Sequence, residues 1–167
     1  MADDTGSKPV RTTLALATAL LLPLVISAKP KPGEAASIQG IQIQGDAKPG
    51  SKVTVLITVQ LEKGYHVHSH KPSQPEFIPT VLTLSPATGS KAGSVTYPKG
   101  KTEKVENLAK PLSIYTEQFE LSLTVTLDPT SVLPVTIPAS LSYQACQGTV
   151  CYPPKKLKFE ISIAAAP

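Results

Sequence analysis

An all-β chain folded as an antiparallel β-sandwich is the class this sequence predicts, and three observations predict it. The 167 residues include 17 Pro, and an interior Pro costs a helix about 3 kcal/mol, which excludes a helix bundle. Runs of Val, Thr, Leu and Ile are broken by turn signals about every ten residues, which gives about eight or nine short strands. After the N-terminal apolar segment no pattern of helical period and no internal repeat occurs. The length is that of one domain with some chain to spare. The Cys–Trp–Cys hallmark of antibody-type domains is missing, because the chain has no Trp.

The first element is not a strand. Leu14 to Ile26 is an apolar stretch of thirteen residues interrupted by Pro23, short of the roughly 20 that a spanning helix needs. It fits the apolar core of a secretory signal peptide, with Lys8 and Arg11 before it and Ile26-Ser27-Ala28 as a small-residue cleavage site. Asp3 and Asp4 dilute the positive charge of its start. Residues 1–28 are therefore expected to be a signal peptide, or an uncleaved anchor, and membrane contact is expected only through residues 14–26 if they stay attached. No Cys follows the apolar run, so lipoprotein processing is not indicated. An exported chain meets an oxidising compartment, where its two cysteines can pair.

Lys29 to Ser37 reads as a flexible spacer. The sandwich is expected over residues 38–163, with a tail at 164–167. Ile38, Ile41 and Ile43 begin a weak first strand, and Asp46 to Ser51 turns. Val53 to Leu61 is the best strand, with Val53, Val55, Ile57, Val59 and Leu61 on one face. Tyr65 to His70 follows a Gly64 turn, and Lys71 to Pro79 is a Pro-interrupted loop. Thr80 to Leu84 and Val95 to Tyr97 are short strands, and Lys99 to Pro111 is a long polar loop. Ile114 to Leu127 alternates strictly through Phe119, Leu121, Leu123 and Val125. Val135 to Ala145 and Lys156 to Ile163 are the last strands. The formal charge of +4 survives removal of residues 1–28, which carry two cations and two carboxylates. Lysines are spread out, no Arg follows Arg11 and aromatics are 5%, which argues against nucleic-acid binding.

Cys146 and Cys151 stand four residues apart within Tyr143-Gln-Ala-Cys-Gln-Gly-Thr-Val-Cys-Tyr-Pro-Pro154. A bridge here closes a loop of about six residues and stabilises by roughly 2 kcal/mol, against about 4 for one joining distant strands. Strained or exposed bridges are also the more labile ones. The spacing favours a redox pair, with a static hairpin disulfide or a soft metal site as alternatives. Two Cys without further ligands make a poor zinc signature.

The stretch from Tyr143 to Pro154 resembles the active-site motif of the N-terminal periplasmic domain of the thiol:disulfide interchange protein DsbD. Glu62-Lys-Gly-Tyr-His-Val-His-Ser-His-Lys-Pro72, Ile78-Pro-Thr80 and Tyr97-Pro-Lys-Gly100 fit the same family in order. The resemblance implies an immunoglobulin-like β-sandwich and a dithiol/disulfide relay to thioredoxin-fold partners. It implies that Cys151 forms the mixed disulfide and Cys146 resolves it. Glu103 to Leu112 resembles the family's cap loop, with Leu108 about where the family has an aromatic. Glu106 and Asn107 lie in that loop, where a carboxylate would raise a cysteine pKa and assist proton transfer. The chain carries no membrane electron-transfer domain, so the resemblance implies a membrane thiol donor on a separate chain. No cofactor is expected. The implied class is a protein-disulfide reductase or interchange component.

The histidines form a stripe. His66, His68 and His70 at period two share a strand face. They invite three readings: a zinc or copper site; partners of the cysteines that stabilise a thiolate or mixed disulfide, since the resemblance implies that His66 and His68 fall beside the cysteine site; or edge residues with no task. Tyr65, Tyr143 and Tyr152 neighbour the site, Tyr65 as a packing or hydroxyl-bonding residue. Pro153 and Pro154 set the exit from the turn, where a cis Tyr152–Pro153 bond is one option. The competing functions are a binding adaptor with a static disulfide and a metal-binding protein of the histidine stripe.

Overall fold

In the computed structural model the described residues are 33–104 and 110–165. The segment 1–28, most of the spacer, and Glu106, Asn107 and Leu108 lie outside them. Among the described residues the chain forms strands and no helix. β1 (Ala36–Gln44) carries isoleucines at uneven spacing, and a bulge between Ile38 and Gly40 absorbs the extra residue. Ile38, Ile41 and Ile43 thereby all turn to the inside, because a bulge shifts the pleat by one. β2 (Lys52–Leu61) buries every second residue. β3 (His66–His68) is shorter than the expected Tyr65–His70 run, and β4 (Val81–Leu84) follows the Pro-rich loop.

β5 (Ser90–Thr96) starts earlier than its apolar residues suggest, since it is a polar edge strand with a register shift at Gly93. β6 (Lys101–Glu103) lies within the stretch expected to be loop. β7 (Leu112–Thr116) and β8 (Gln118–Leu127) correct the expected single strand from Ile114 to Leu127. Glu117 separates them at φ 59°, a left-handed conformation that ends the pleat without breaking the alternation. Its carbonyl accepts from Leu61 N and, at 3.0 Å, from Gln60 Nε2, which fixes the corner. β9 (Val135–Tyr143), β10 (Ala145–Gln147) and β11 (Val150–Cys151) divide the next stretch, and β12 (Lys155–Ile163) closes the fold.

The strands make three antiparallel sheets, ordered β1-β2-β8-β5, β12-β9-β4 and β11-β10-β3-β7-β6. The inward residues of β2 and β8 join those of β9 and β12 in one core with Ile57, Leu121, Leu141 and Ile161 fully buried. The first sheet therefore packs face to face on the other two, in which β9 runs into β10. This is an immunoglobulin-like antiparallel β-sandwich.

One feature of the second layer positions the site. In β3, β7 and β10, Val67, Tyr115 and Ala145 point into the core. Their neighbours His68, Ile114 and Cys146 point to the opposite face, yet they too are buried. A second, smaller buried patch thus lies on the outer face of this sheet.

Candidate functional site

The cysteine motif is a minimal hairpin. Gln147 pairs with Val150 across Gly148-Thr149, and Cys146 pairs directly with Cys151. Gly148 has φ 59°, the positive value that a two-residue turn asks of its first central residue. The cross-strand pair one step out from the residues that flank such a turn is the closer, non-hydrogen-bonded one, with Cα atoms about 4.5 Å apart. Here the two Cα atoms are 4.0 Å apart and the sulfurs are bonded. The pair is asymmetric: Cys146 is buried and Cys151 is exposed. Tyr152 N donates to Ala145 O at 2.9 Å and Gln144 Nε2 to Tyr152 O at 3.1 Å, which pins the outgoing strand.

β3 runs beside this hairpin. His66 pairs with Cys146 and Val67 with Ala145. His66, Cys146 and Cys151 therefore share one face, with His68 two residues further along it. His68 Nε2 lies 4.0 Å from Cys146 Sγ. Its ring is buried and stacks on Phe77, with centroids 4.3 Å apart. Its Nδ1 has no hydrogen-bond partner. Burial, and then the neighbouring His66, push its pKa below the usual imidazole value. His66 is lowered by burial too, while Glu103 pulls it the other way. Both rings are thus held toward the neutral form.

The backbone around His68 is tied down. Thr80 Oγ1 donates to His68 O at 2.6 Å, and Thr80 N donates to Ser69 O at 3.4 Å. The loop carrying Phe77 is anchored through these bonds. No motif in the sequence marks Phe77 or Thr80 as site residues. The available signal was an aromatic residue in a Pro-interrupted loop, in a chain with only 3 Phe.

The remaining predicted residues separate into groups. His70 lies beyond the end of β3; its ring stacks on Tyr97 at 3.7 Å and its Nδ1 faces Thr80 O at 3.2 Å. The three histidines are not gathered round a common point. Among the described residues the grouping of three close ligand atoms is instead His68, Cys146 and Cys151, all within 4.8 Å of one another. Tyr65 and Tyr152 pack ring to ring at 5.9 Å, next to the hairpin. Desolvation, and then the neighbouring Tyr152 hydroxyl, raise the pKa of the Tyr65 hydroxyl. Tyr143 is a core residue; burial raises the pKa of its hydroxyl, and the backbone of Ala36 and Ala35 pulls it the other way. Pro153 is exposed, and the cis peptide bond among the described residues is Leu133–Pro134 rather than Tyr152–Pro153. An open cleft of about 670 Å³ runs along Gly64, Tyr65, His66, Glu103, Thr116 and the hairpin tip at Gly148.

The family profile of "Thiol:disulfide interchange protein DsbD, N-terminal" matches residues 37–163. No curated protein matches the chain. Solved structures of similar shape include the following three. The reduced N-terminal domain of DsbD from Neisseria meningitidis is 21% identical with a TM-score of 0.45, covering 75% of this chain and 86% of that one. The N-terminal periplasmic domain of ScsB from Proteus mirabilis is 13% identical with a TM-score of 0.51, covering 82% of this chain and 49% of that one. The GAE domain of GGA2p from Saccharomyces cerevisiae is 7% identical with a TM-score of 0.48, covering 83% and 96%.

Proposed function

Because the chain belongs to the family of DsbD N-terminal domains and is a thiol–disulfide exchange domain, we propose that Cys146 and Cys151 relay electrons between thioredoxin-fold proteins outside the cytoplasm. The observation that carries this reading is the asymmetry of the pair. The exposed Cys151 offers its sulfur to an incoming thiolate, and the buried Cys146 does not.

The exchange runs in two balanced steps. A partner thiolate attacks Cys151 Sγ, the Cys146–Cys151 bond breaks, and Cys146 leaves as a thiolate. A second partner thiol then attacks the mixed disulfide at the partner's sulfur, freeing Cys151, and the dithiol passes its electrons on by the reverse sequence. In that reverse sequence Cys151 attacks a partner disulfide, and Cys146 resolves the product. The 4.0 Å approach of His68 Nε2 to Cys146 Sγ supports a part for His68 at that sulfur. A neutral ring donating its Nε2 proton toward a departing thiolate stabilises that charge without carrying one itself. Phe77 holds the ring in place. The cleft beside the hairpin, lined by Tyr65 and His66, receives the partner's chain around its own cysteine.

A Cys146→Ser variant keeps Cys151 as a free thiol with no resolving partner. Incubated with periplasmic extract, it is expected to trap thioredoxin-fold proteins in reductant-sensitive adducts, which the Cys146→Ser/Cys151→Ser double variant lacks. Absence of any such adduct would overturn the relay. A reduction potential below about −300 mV, out of reach of exchange partners, would instead mark a static bridge in an adaptor.

A further inference from the structure

We propose that the reduced site binds one thiophilic metal cation, foremost Cu(I), through the thiolates of Cys146 and Cys151 and the Nε2 of His68. From sequence the two cysteines lacked a further ligand. The fold supplies one from 78 residues away.

Three observations carry this. First, the donor atoms already converge within 4.8 Å, with Nε2 at 4.0 Å from Cys146 Sγ. Around an ion with bonds of about 2.3 Å to sulfur and about 2.0 Å to nitrogen, neighbouring donors sit roughly 3.5–4 Å apart. Once the S–S bond is cleaved, the sulfurs need only part to that distance. Second, His68 is 1% exposed, its Nδ1 has no partner and its Nε2 meets only sulfur. A buried imidazole with so little hydrogen bonding is costly to keep, and coordination gives it a strong partner. Third, the donor set is two soft thiolates and one imidazole, which selects Cu(I) or Zn(II) over hard cations. Three donors complete a trigonal Cu(I) shell, whereas Zn(II) would need a fourth.

Binding involves no change of oxidation state. Two thiol protons leave to solvent, the imidazole proton moves from Nε2 to Nδ1, and one cation takes their place. The reducing equivalents that open the disulfide come from a dithiol partner or, in the test, from a phosphine. The proposal rests on the pair being reducible, as the relay does, but its test uses chemically reduced protein. Failure to trap a redox partner therefore leaves it readable, and failure to bind metal leaves the relay standing.

The full chain is reduced anaerobically and titrated with Cu(I) against a chromophoric Cu(I) chelator. One equivalent is expected to bind the reduced form and none the disulfide form; no binding by the reduced form at micromolar Cu(I) overturns the site. His68→Gln is expected to weaken binding by at least about tenfold, as even outer-shell changes do, while His70→Gln binds like the parent. Should His68→Gln bind unchanged, or His70→Gln be the variant that loses the ion, the assignment is wrong. Because His68 is buried, X-ray absorption of the unaltered Cu(I) protein provides a check that needs no variant. Two sulfurs and one nitrogen are expected in the first shell, and sulfur alone overturns the role of His68.

Discussion

The side chains that decide the chemistry are few, and burial decides how each behaves. A histidine beside a cysteine suggests a cation that stabilises a thiolate. His68 is instead kept toward neutrality by desolvation and by His66, so its part in the proposed exchange is a hydrogen bond rather than a charge. That shift has a consequence for stability. With its folded pKa below the unfolded value near 6.5, His68 binds fewer protons when folded. Stability is therefore complete above about pH 6.5 and is lost as the pH falls through the folded pKa. The urea midpoint of the disulfide form is expected to drop between pH 7.5 and pH 5, and His68→Gln to flatten the drop. An equal slope in the variant would assign the effect elsewhere. The motif from Tyr143 to Pro154 displayed the cysteines and their neighbours in the sequence. It did not display Phe77, which reaches His68 only through the fold of a loop that is irregular in structure and in sequence pattern.

At the scale of elements, periodicity located the strands and missed their corners. The core-facing alternation passes from Tyr115 across Glu117 into Phe119 and on to Leu127, because a left-handed residue turns the chain from one sheet to the other while keeping these side chains inward. Left-handed geometry costs a side-chain-bearing residue roughly 1–2 kcal/mol, and a glycine there adds unfolded-state entropy of about 0.5–1 kcal/mol. Glu117→Gly is therefore expected to hold stability within about 1 kcal/mol of the parent, and the β-branched Glu117→Val to lose more than that. Urea denaturation of both variants measures the difference; a Val variant as stable as the parent would remove strain at the corner from the account. The bulge in β1 follows the same logic. Its isoleucine spacing of three then two looks weak until one extra residue restores the pleat.

For the whole molecule, the core and the site lie on opposite faces of the second layer. The sandwich core joins β2, β8, β9 and β12, whereas Cys146, His68 and Ile114 form a separate patch on the outer face of the second layer. The disulfide spans a sequence separation of 5, so it constrains only a small loop. Reduction is expected to leave the protein folded and to lower stability by about 2 kcal/mol or less. Urea denaturation of both redox forms measures this. Loss of folding on reduction would mean that the bridge holds the fold, which a relay cannot afford. The family match over residues 37–163 fits this division, in which a stable scaffold presents a bond that can open.

The sequence by itself determined the fold class, the course of the long strands and the two cysteines as a candidate pair. These depend on local patterning: alternation, proline placement and the spacing of two cysteines around a glycine turn. Only the tertiary structure decided which cysteine is exposed, which histidine meets the sulfur and what covers that histidine. Those relations arise where β3, β10 and the loop before β4 come together. Contacts between residues 78 positions apart leave no periodic trace, because the energy that makes them is packing between elements and not the preference of any one segment.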